Sequence, residues 1–198
     1  MTLDALLSEI RGCRTCEGRL PLGPRPVVRA HPDARVLIVG QAPSTRVHAT
    51  GVPWNDPSGE RLRAWMGVDR ASFYDARRFA IMPMGLCYPG RGRSGDLPPR
   101  PECAPRWHPR LLAALPRLAL VLLVGSHAQR RYLGPEAGTS LTRTVCAWRE
   151  VPRPFLPLPH PSGRNNGWFA QNPWFEAELV PVLRRRLRDA LPDLDAAA

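Results

Sequence analysis

The sequence predicts an α/β protein with three layers, in which a central four-stranded parallel sheet lies between two layers of helices. Strands are expected at about residues 35–40 and 118–124, because residues 36–40 and 118–124 are short apolar runs typical of strands that are buried on both faces. Capped or amphipathic segments that favour helices alternate with the strands, and this alternation indicates a parallel sheet. We expect one domain over residues 1–198, because a chain of this length can bury a substantial core.

The first 34 residues are predicted to form an amino-terminal extension of that domain. Apolar residues in the first turns recur at helical spacing, which predicts an amphipathic helix over residues 4–11. Thr2 is suited to cap this helix and Gly12 is suited to end it. Residues 17–34 contain four prolines and are expected to form an extended connector lying over the core.

The remaining chain is predicted to alternate strands and helices. Two further strands are expected at residues 79–84 and within residues 144–158, where Cys146 would be a core residue. Helices are expected at residues 59–66 with Ser58 as N-cap, 105–115, 126–133, and 172–191, the last with Pro173 at its start and a kink or restart at Pro181. Residues 41–57 and 85–102 are rich in Gly and Pro and are expected to be loops, and long loops in compact domains are usually functional.

The charge balance indicates a polyanionic partner. All 28 basic side chains are Arg, and they outnumber the 17 acidic side chains to give a net charge of +11. A GC-rich genome would explain the lack of Lys, but it does not explain the excess of positive charge. Because the planar guanidinium of Arg pairs well with phosphate, we expect contact with nucleic acid.

Other features of the composition bear on location. The chain has no apolar run of the roughly 18 residues needed to cross a membrane. Its first residues also lack the basic region of a secretory signal. We therefore expect a cytoplasmic protein with no membrane contact.

Four cysteines have the spacing of a metal site. Cys13 and Cys16 form one chelating pair, and Cys87 and Cys103, with fifteen residues between them, are suited to complete a four-thiolate site. Four thiolates bind either Zn or a [4Fe–4S] cluster, and the spacing alone does not choose between them. Unrelated buried cysteines remain an alternative, whereas a structural disulfide is not expected in the cytosol.

Polar side chains follow the first and the last predicted strands. Because the carboxyl ends of parallel strands share one edge of a sheet, we expect these two loops to meet. An amide, an aromatic ring and a His beside Ser and Arg would suit a flat heterocycle on a phosphate backbone. The converging residues would be Gln41, Trp54, Asp56, His160, Ser162, Arg164 and Asn165. Taken singly, each also has an ordinary structural explanation, as a turn or packing residue.

These loops resemble the two signature loops of the uracil-DNA glycosylase superfamily. The similar segments are residues 40–44 (GQAPS) with residues 51–54 (GVPW), and residues 160–165 (HPSGRN). The resemblance covers about residues 10–190. The four cysteines resemble the branch that carries a [4Fe–4S] cluster, and the second loop resembles the single-strand-selective branch. The chain thus combines features of two branches.

Two positions depart from the pattern of the superfamily. Many members have an Asp that orients the attacking water where this chain has Ala42, and several branches have an Asn at the end of the second strand. Here that strand ends in residues 81–85 without an Asn. We therefore expect Gln41 or a loop carboxylate to place the water, with Asp56 as the first candidate and Glu60 as the second.

The resemblance implies a monomeric enzyme that flips uracil out of DNA and hydrolyses its N-glycosidic bond. Trp54 would stack on the base, and its indole and the imidazole of His160 would enclose it. His160 would donate a hydrogen bond to uracil O2. Ser162 would hold a phosphate, and Arg164 would fill the gap left by the base. The resemblance also implies substrate contacts by Gln41, Ala42, Met84 and Asn165. Contacts with the DNA backbone would come from Arg91, Arg93 and Arg100.

Two other functions remain open. A member of the same fold that has lost turnover would fit Ala42 and the missing Asn, and an activity assay would identify it. A zinc-stabilised nucleic-acid-binding module without base flipping would instead bind DNA tightly, in a salt-dependent manner that ignores uracil.

Overall fold

The predicted sheet is confirmed in the computed structural model, which describes residues 2–93, 95–134, 137 and 140–194. Its strands are β1 (Val36–Val39), β2 (Phe79–Ile81), β3 (Arg91–Gly92), β4 (Gly95–Asp96), β5 (Leu120–Val124) and β6 (Phe155–Leu158). Four of them form a parallel sheet in the order β2-β1-β5-β6, and β3 and β4 form a small antiparallel hairpin. The chain therefore reverses its direction of winding beside β1, where ligands bind in open α/β sheets.

Helices cover both faces of the sheet. They are α1 (Leu3–Arg11), α2 (Thr45–Thr50), α3 (Pro57–Met66), α4 (Arg70–Tyr74), α5 (Cys103–Ala113), α6 (Ser126–Leu133), α7 (Leu141–Cys146), α8 (Asn166–Gln171) and α9 (Val180–Ala190). A π-helical segment, Phe175–Leu179, leads directly into α9. None of the described helices is long and apolar enough to cross a membrane.

Strand β1 separates the two halves of the core. Its four residues are completely buried, as expected for a central parallel strand covered on both faces. Val36 and Ile38 pack with α3 and α9 on one face, whereas Leu37 and Val39 pack with α1, α5 and α6 on the other. This burial on both faces fixes the register of β1, and with it the position of the loop that follows.

The caps explain where the predicted helix boundaries were right or wrong. Thr2 caps α1 as predicted, accepting a hydrogen bond from the backbone N–H of Ala5 at 3.3 Å. Ser58 does not cap α3; Asp56 does, with Pro57 in the first turn. The prediction that residues 41–57 are entirely loop was also wrong, because Ser44 caps the short helix α2 within them.

The segment before β6 also differs from the prediction. Residues 141–146 form α7 rather than the start of a strand, and β6 covers only Phe155–Leu158. Cys146 is exposed at the end of α7, so its assignment to the core was wrong. Strand β2 likewise ends at Ile81, three residues earlier than expected. Apolar composition alone did not distinguish the last turn of a short helix from a strand.

The carboxyl-terminal helix shows the expected restart at Pro181. Pro173 lies just before the first helical residue, and the π-helical segment ends where α9 begins. Because Pro181 has no N–H to donate, the ladder of backbone hydrogen bonds must change at this point. A π-helical segment is one way to make that change.

Helix α7 offers a matched test of this assignment. Val145→Ala should lower the free energy of unfolding by about 2 kcal/mol, because Val145 is completely buried and the substitution leaves a cavity. Cys146→Ala should change it by less than about 0.5 kcal/mol, as is usual for exposed positions. Urea denaturation followed by circular dichroism measures both. Equal losses for the two variants would contradict the burial described here.

Candidate functional site

A cavity of about 390 Å³ opens at the carboxyl ends of the parallel strands. Its walls come from the loop after β1, the start of α3, the segment after β2, the hairpin and the loop after β6. The polar or aromatic lining residues are Gln41, Ser44, Trp54, Asp56, Ser58, Asp96, His160, Ser162, Arg164 and Asn165. The volume is within the range typical of pockets for small organic groups. The loops after β1 and β6 therefore meet at this edge of the sheet, as predicted.

Backbone hydrogen bonds fix the loops at this edge of the sheet. The N–H of Met84 donates to the carbonyl of Gly40 at 2.8 Å, and the N–H of Gly85 donates to that of Gln41 at 2.9 Å. On the other side, the N–H of Gly125 donates to the carbonyl of Leu158 at 2.9 Å. The cavity floor is thus an extension of the sheet.

Trp54 forms one wall of the cavity in a backbone conformation that residues with side chains rarely adopt. Among the described residues it is the only non-glycine with positive φ, at 56°. Arg63 donates to its carbonyl oxygen at 3.3 Å. A Cβ at residue 40 would lie 2.8 Å from Trp54 Cζ2, and one at residue 59 would lie 1.8 Å from its carbonyl oxygen. Both glycines are therefore required for this position of Trp54.

The indole of Trp54 lies directly against His160. The ring centroids are 5.6 Å apart and the planes differ by 32°. A base sandwiched between two rings would need about 7 Å, which is twice a normal carbon–carbon contact. The expectation that the two rings enclose a base is therefore wrong, and a base in this cavity must lie beside the pair.

His160 is held as a neutral hydrogen-bond donor. Burial lowers its pKa to about 4, although the negative charge of Asp56 acts in the opposite direction. Its Nδ1 accepts a hydrogen bond from the backbone N–H of Ser162 at 3.2 Å, so the neutral ring carries its proton on Nε2. The amide of Asn165 donates to the His160 carbonyl oxygen at 2.7 Å and fixes the loop. The proton on Nε2 is thereby left for a ligand.

Asp56 is engaged in local structure as well as lining the cavity. Its Oδ1 accepts a hydrogen bond from the backbone N–H of Gly59 at 3.0 Å, which caps α3. Its Oδ2 accepts from the hydroxyl of Ser44 at 3.0 Å, and Ser44 in turn caps α2. One carboxylate therefore joins the starts of two helices. Glu60, the second candidate for placing water, is exposed in α3 and does not line the cavity.

The hairpin formed by β3 and β4 lies at the mouth of the cavity and was missed from sequence. Gln41 donates from Nε2 to the carbonyl of Leu97 at 3.3 Å, so its amide contacts the hairpin. The guanidinium of Arg164 lies over Gly95, where a Cβ would be 1.5 Å from its Nη1. Asp96 joins the cavity lining, and burial raises the pKa of its carboxyl. In the sequence, Gly92 and Gly95, which flank the turn before Asp96, were the available signal for a hairpin.

The other predicted residues have different positions. Ala42 lines the cavity, and so does Ser162, whose Oγ accepts from the N–H of Arg164 at 3.3 Å. Met84 does not line it, because its side chain is buried in the core with Leu37 and Trp107. The assignment of Met84 to the substrate site depended on the longer β2 strand that the structure does not have.

His108, which sequence analysis did not single out, supports the segment after β2. It is buried in α5, and burial lowers its pKa to about 4. Nε2 donates to the carbonyl oxygen of Pro83 at 3.1 Å, and Nδ1 accepts from the hydroxyl of Tyr132 at 2.8 Å. Because Pro83 lines the cavity, this pair of hydrogen bonds fixes part of its wall.

The four cysteines singled out from sequence meet in a second, smaller cavity. Cys13, Cys16, Cys87 and Cys103 all line it, together with Trp107 and Arg100 among others. Burial raises the pKa of Cys103 to about 12 and that of Cys87 to about 11. The backbone N–H of Leu86 donates to Cys103 Sγ at 3.3 Å. These thiols are thus brought together by the end of α1, the start of α5 and the segment between them.

The four thiols supply the donors that either a zinc ion or a [4Fe–4S] cluster uses. Within the described ranges, no group of three or more His, Cys, Asp or Glu side chains has the geometry of a bound single ion. Arg100 Nε is buried beside the thiols without an acceptor, and a cluster sulfur would supply one. Arg100 also donates to Glu102 Oε1 at 3.0 Å.

Comparison with known families agrees with this geometry. Residues 28–184 match the family model described as the uracil DNA glycosylase superfamily. The match covers more than half of the chain and includes both loops that line the larger cavity, as well as Cys87 and Cys103.

Two helical glycines test the packing of Trp54. Gly59→Ala should lower the free energy of unfolding by at least about 2 kcal/mol, because the new Cβ would overlap the Trp54 carbonyl and displace the turn. Gly167→Ala in α8 is the control, since a Cβ there meets nothing within 4 Å and Ala favours a helix. Thermal unfolding measures both. A fully stable Gly59→Ala variant would show that Trp54 is not held as described.

Proposed function

Because the chain belongs to the uracil DNA glycosylase superfamily, we propose that it is a monofunctional uracil-DNA glycosylase of base excision repair. It would extrude uracil from DNA and hydrolyse the bond between the base and deoxyribose, leaving an abasic site. Extrusion costs a few kcal/mol and is easiest from single-stranded or mismatched DNA. The observation that carries this proposal is the neutral His160, with its Nε2 proton available in a cavity large enough for a base.

His160 suits the stabilisation of a leaving uracil. As the N-glycosidic bond breaks, the base gains negative charge on O2 and the sugar gains oxocarbenium character. A preorganised donor at such an oxygen typically lowers the activation free energy by about 3 kcal/mol. A neutral imidazole can provide this hydrogen bond throughout the neutral pH range, because its pKa is about 4.

Trp54 and the loop after β1 would hold the base. Since one side of the indole contacts His160, uracil would stack on the remaining exposed part of the ring. Base recognition would come from backbone groups of residues 40–43 and from Gln41, provided that its amide exchanges its bond to Leu97 for one to uracil. Asn165 would act by holding the His160 loop in place.

The basic residues around the mouth would hold the DNA backbone. Arg164 lines the cavity and would enter the space that the base leaves, while Ser162 would bind a phosphate at the start of its loop. Arg91 and Arg93 are exposed on the hairpin beside the mouth. Together with the net charge of +11, they supply the positive potential that DNA binding requires.

The four thiols would hold a [4Fe–4S] cluster with a structural role. When bound, the cluster would supply bonds to all four sulfurs; we assign it no redox step. Cys87 and Cys103 are the two ends of the segment that carries the hairpin, and Cys13 and Cys16 follow α1. Through these four cysteines, the hairpin at the mouth of the larger cavity would therefore be connected to the amino-terminal extension. Structural zinc is the alternative occupant.

Two further expectations from sequence remain proposals. We propose a monomer that works in the cytoplasm. An impaired homologue is the second candidate function, favoured by Ala42 in the cavity wall and by the absence of Asn from residues 81–85. The same activity assay separates this candidate from the enzyme.

Substitution of His160 tests the proposed reaction. His160→Ala should reduce single-turnover release of uracil from a labelled single-stranded oligonucleotide by about 100-fold or more, because the donor to O2 is lost. His31→Ala is the control, since His31 precedes β1 at the opposite edge of the sheet. Wild-type rates for His160→Ala would refute its role, and an inactive wild-type protein would favour the impaired homologue.

The cysteines are tested by metal content. Anaerobically purified protein should be brown, with about four iron atoms and as many acid-labile sulfides per chain. Cys103→Ala should lose most of this iron, whereas Cys146→Ala should retain it, because Cys146 is exposed and is not among the cysteines that line the smaller cavity. A colourless protein that contains one zinc per chain would support the alternative occupant.

A further inference from the structure

We propose that Asp96 is the catalytic carboxylate that orients the attacking water and takes its proton. This assignment rests on the proposed function. It moves the role from Asp56, which the sequence favoured, to a residue in the hairpin that the sequence pattern did not reveal. Asp96 lines the same cavity as Trp54 and His160 and reaches it from the side of the mouth.

The hairpin places Asp96 there by specific contacts. Asp96 pairs with Arg91 across the two strands, so their side chains share one face of the hairpin. Gly95, at φ 136°, lets the chain pass beneath the guanidinium of Arg164. On the other side, Gln41 donates to the carbonyl of Leu97, the residue after Asp96. Asp96 is therefore held between residues of the two signature loops.

The two carboxylates of the cavity differ in what they already bind. Both oxygens of Asp56 accept a hydrogen bond, one from the N–H that starts α3 and one from Ser44. A shift of Asp56 toward a water would weaken both. By contrast, no hydrogen bond or ion pair within the described residues engages the carboxylate of Asp96. Asp96 is thus the carboxylate whose acceptors remain available to a water.

The surroundings of Asp96 act on its pKa in both directions, with a net rise. Burial raises the pKa of Asp96, and the negative charge of Asp56 adds to this effect. Arg164 from the loop after β6 and Arg91 from β3 act on it in the opposite direction. His160, the remaining titratable group of the cavity, is neutral there. A carboxylate with a raised pKa accepts a proton more readily than an ordinary one.

The proposed step balances as a hydrolysis. The bond between N1 of uracil and C1′ breaks, and its electron pair leaves with the base, whose O2 is stabilised by His160. One water oxygen bonds to C1′ while its proton passes to the carboxylate of Asp96. The uracil anion then takes a proton from solvent, and Asp96 releases its own. The negative carboxylate also opposes the positive charge that develops on the sugar.

Asp96→Asn tests this role because it keeps the size of the side chain and removes the charge. We expect single-turnover uracil release to fall by about 100-fold or more at pH 7.5, which is the usual contribution of a general base. The Kd for an oligonucleotide that contains an abasic site, measured by fluorescence anisotropy, should change by less than about threefold. Asp189→Asn is the matched control, because Asp189 is exposed near Ala119 and Leu120 at the opposite edge of the sheet.

A pH profile separates catalysis from a structural effect. Wild-type single-turnover rates should fall at acid pH as Asp96 takes up a proton, and the midpoint should lie above the ordinary range for Asp. The residual activity of Asp96→Asn should lack this acid limb, and Asp96→Glu should restore it in part. If Asp96→Asn unfolds, Asp96→Ser in the same hairpin takes its place.

The outcomes distinguish this inference from the proposed function. If wild-type protein releases no uracil, the proposed function fails before Asp96 is tested. If wild-type protein is active and Asp96→Asn keeps its rate within threefold, with the acid limb unchanged, Asp96 is not the base. A large loss for Asp56→Asn under those conditions would return the role to Asp56.

Discussion

The close fit of Trp54 between two glycines determines the geometry of the whole site. The indole contacts Gly40 at the end of β1, and its carbonyl lies against Gly59 in the first turn of α3. These contacts hold a tryptophan at positive φ, a conformation that costs of order 1–3 kcal/mol unless its surroundings enforce it. Because His160 packs on the same indole, the position of the proposed catalytic donor follows from this fit. Hydrogen bonds that Asp56 accepts from Ser44 and Gly59 then align α2 and α3 with the same wall.

The main elements of the fold were predictable because they bury apolar side chains with a regular period. Strands β1 and β5 are short apolar runs, and α1 has an apolar stripe with a clear cap. Helices α2 and α7 were missed because six residues give too short a period to recognise, and their ends are set by Ser44 and Ser140. The hairpin was missed since its position depends on contacts with distant side chains.

The site shows the same division between local and tertiary information. Trp54, Asp56, His160 and Ser162 were predicted to converge because parallel strands end at one edge of a sheet, and they do. Met84 was misplaced because β2 ends three residues early and the following chain turns into the core. Asp96 was not recognised, since the two glycines that flank the turn indicate a hairpin but not that it folds back over the cavity. The difference in the hydrogen bonds accepted by the carboxylates of Asp56 and Asp96 is visible only in the three-dimensional structure.

The hairpin at the mouth of the larger cavity lies in the chain between Cys87 and Cys103, two of the cysteines that meet in the smaller cavity. Cys87 precedes β3 and Cys103 begins α5, so both ends of this roof are attached at the same place. Loss of a group held by those sulfurs, as proposed above, would free both attachments at once and weaken the contacts of the hairpin with Gln41 and Arg164. The group proposed for the four thiols would thus act on the larger cavity from a distance, whereas the cavity floor is held by backbone hydrogen bonds of the sheet.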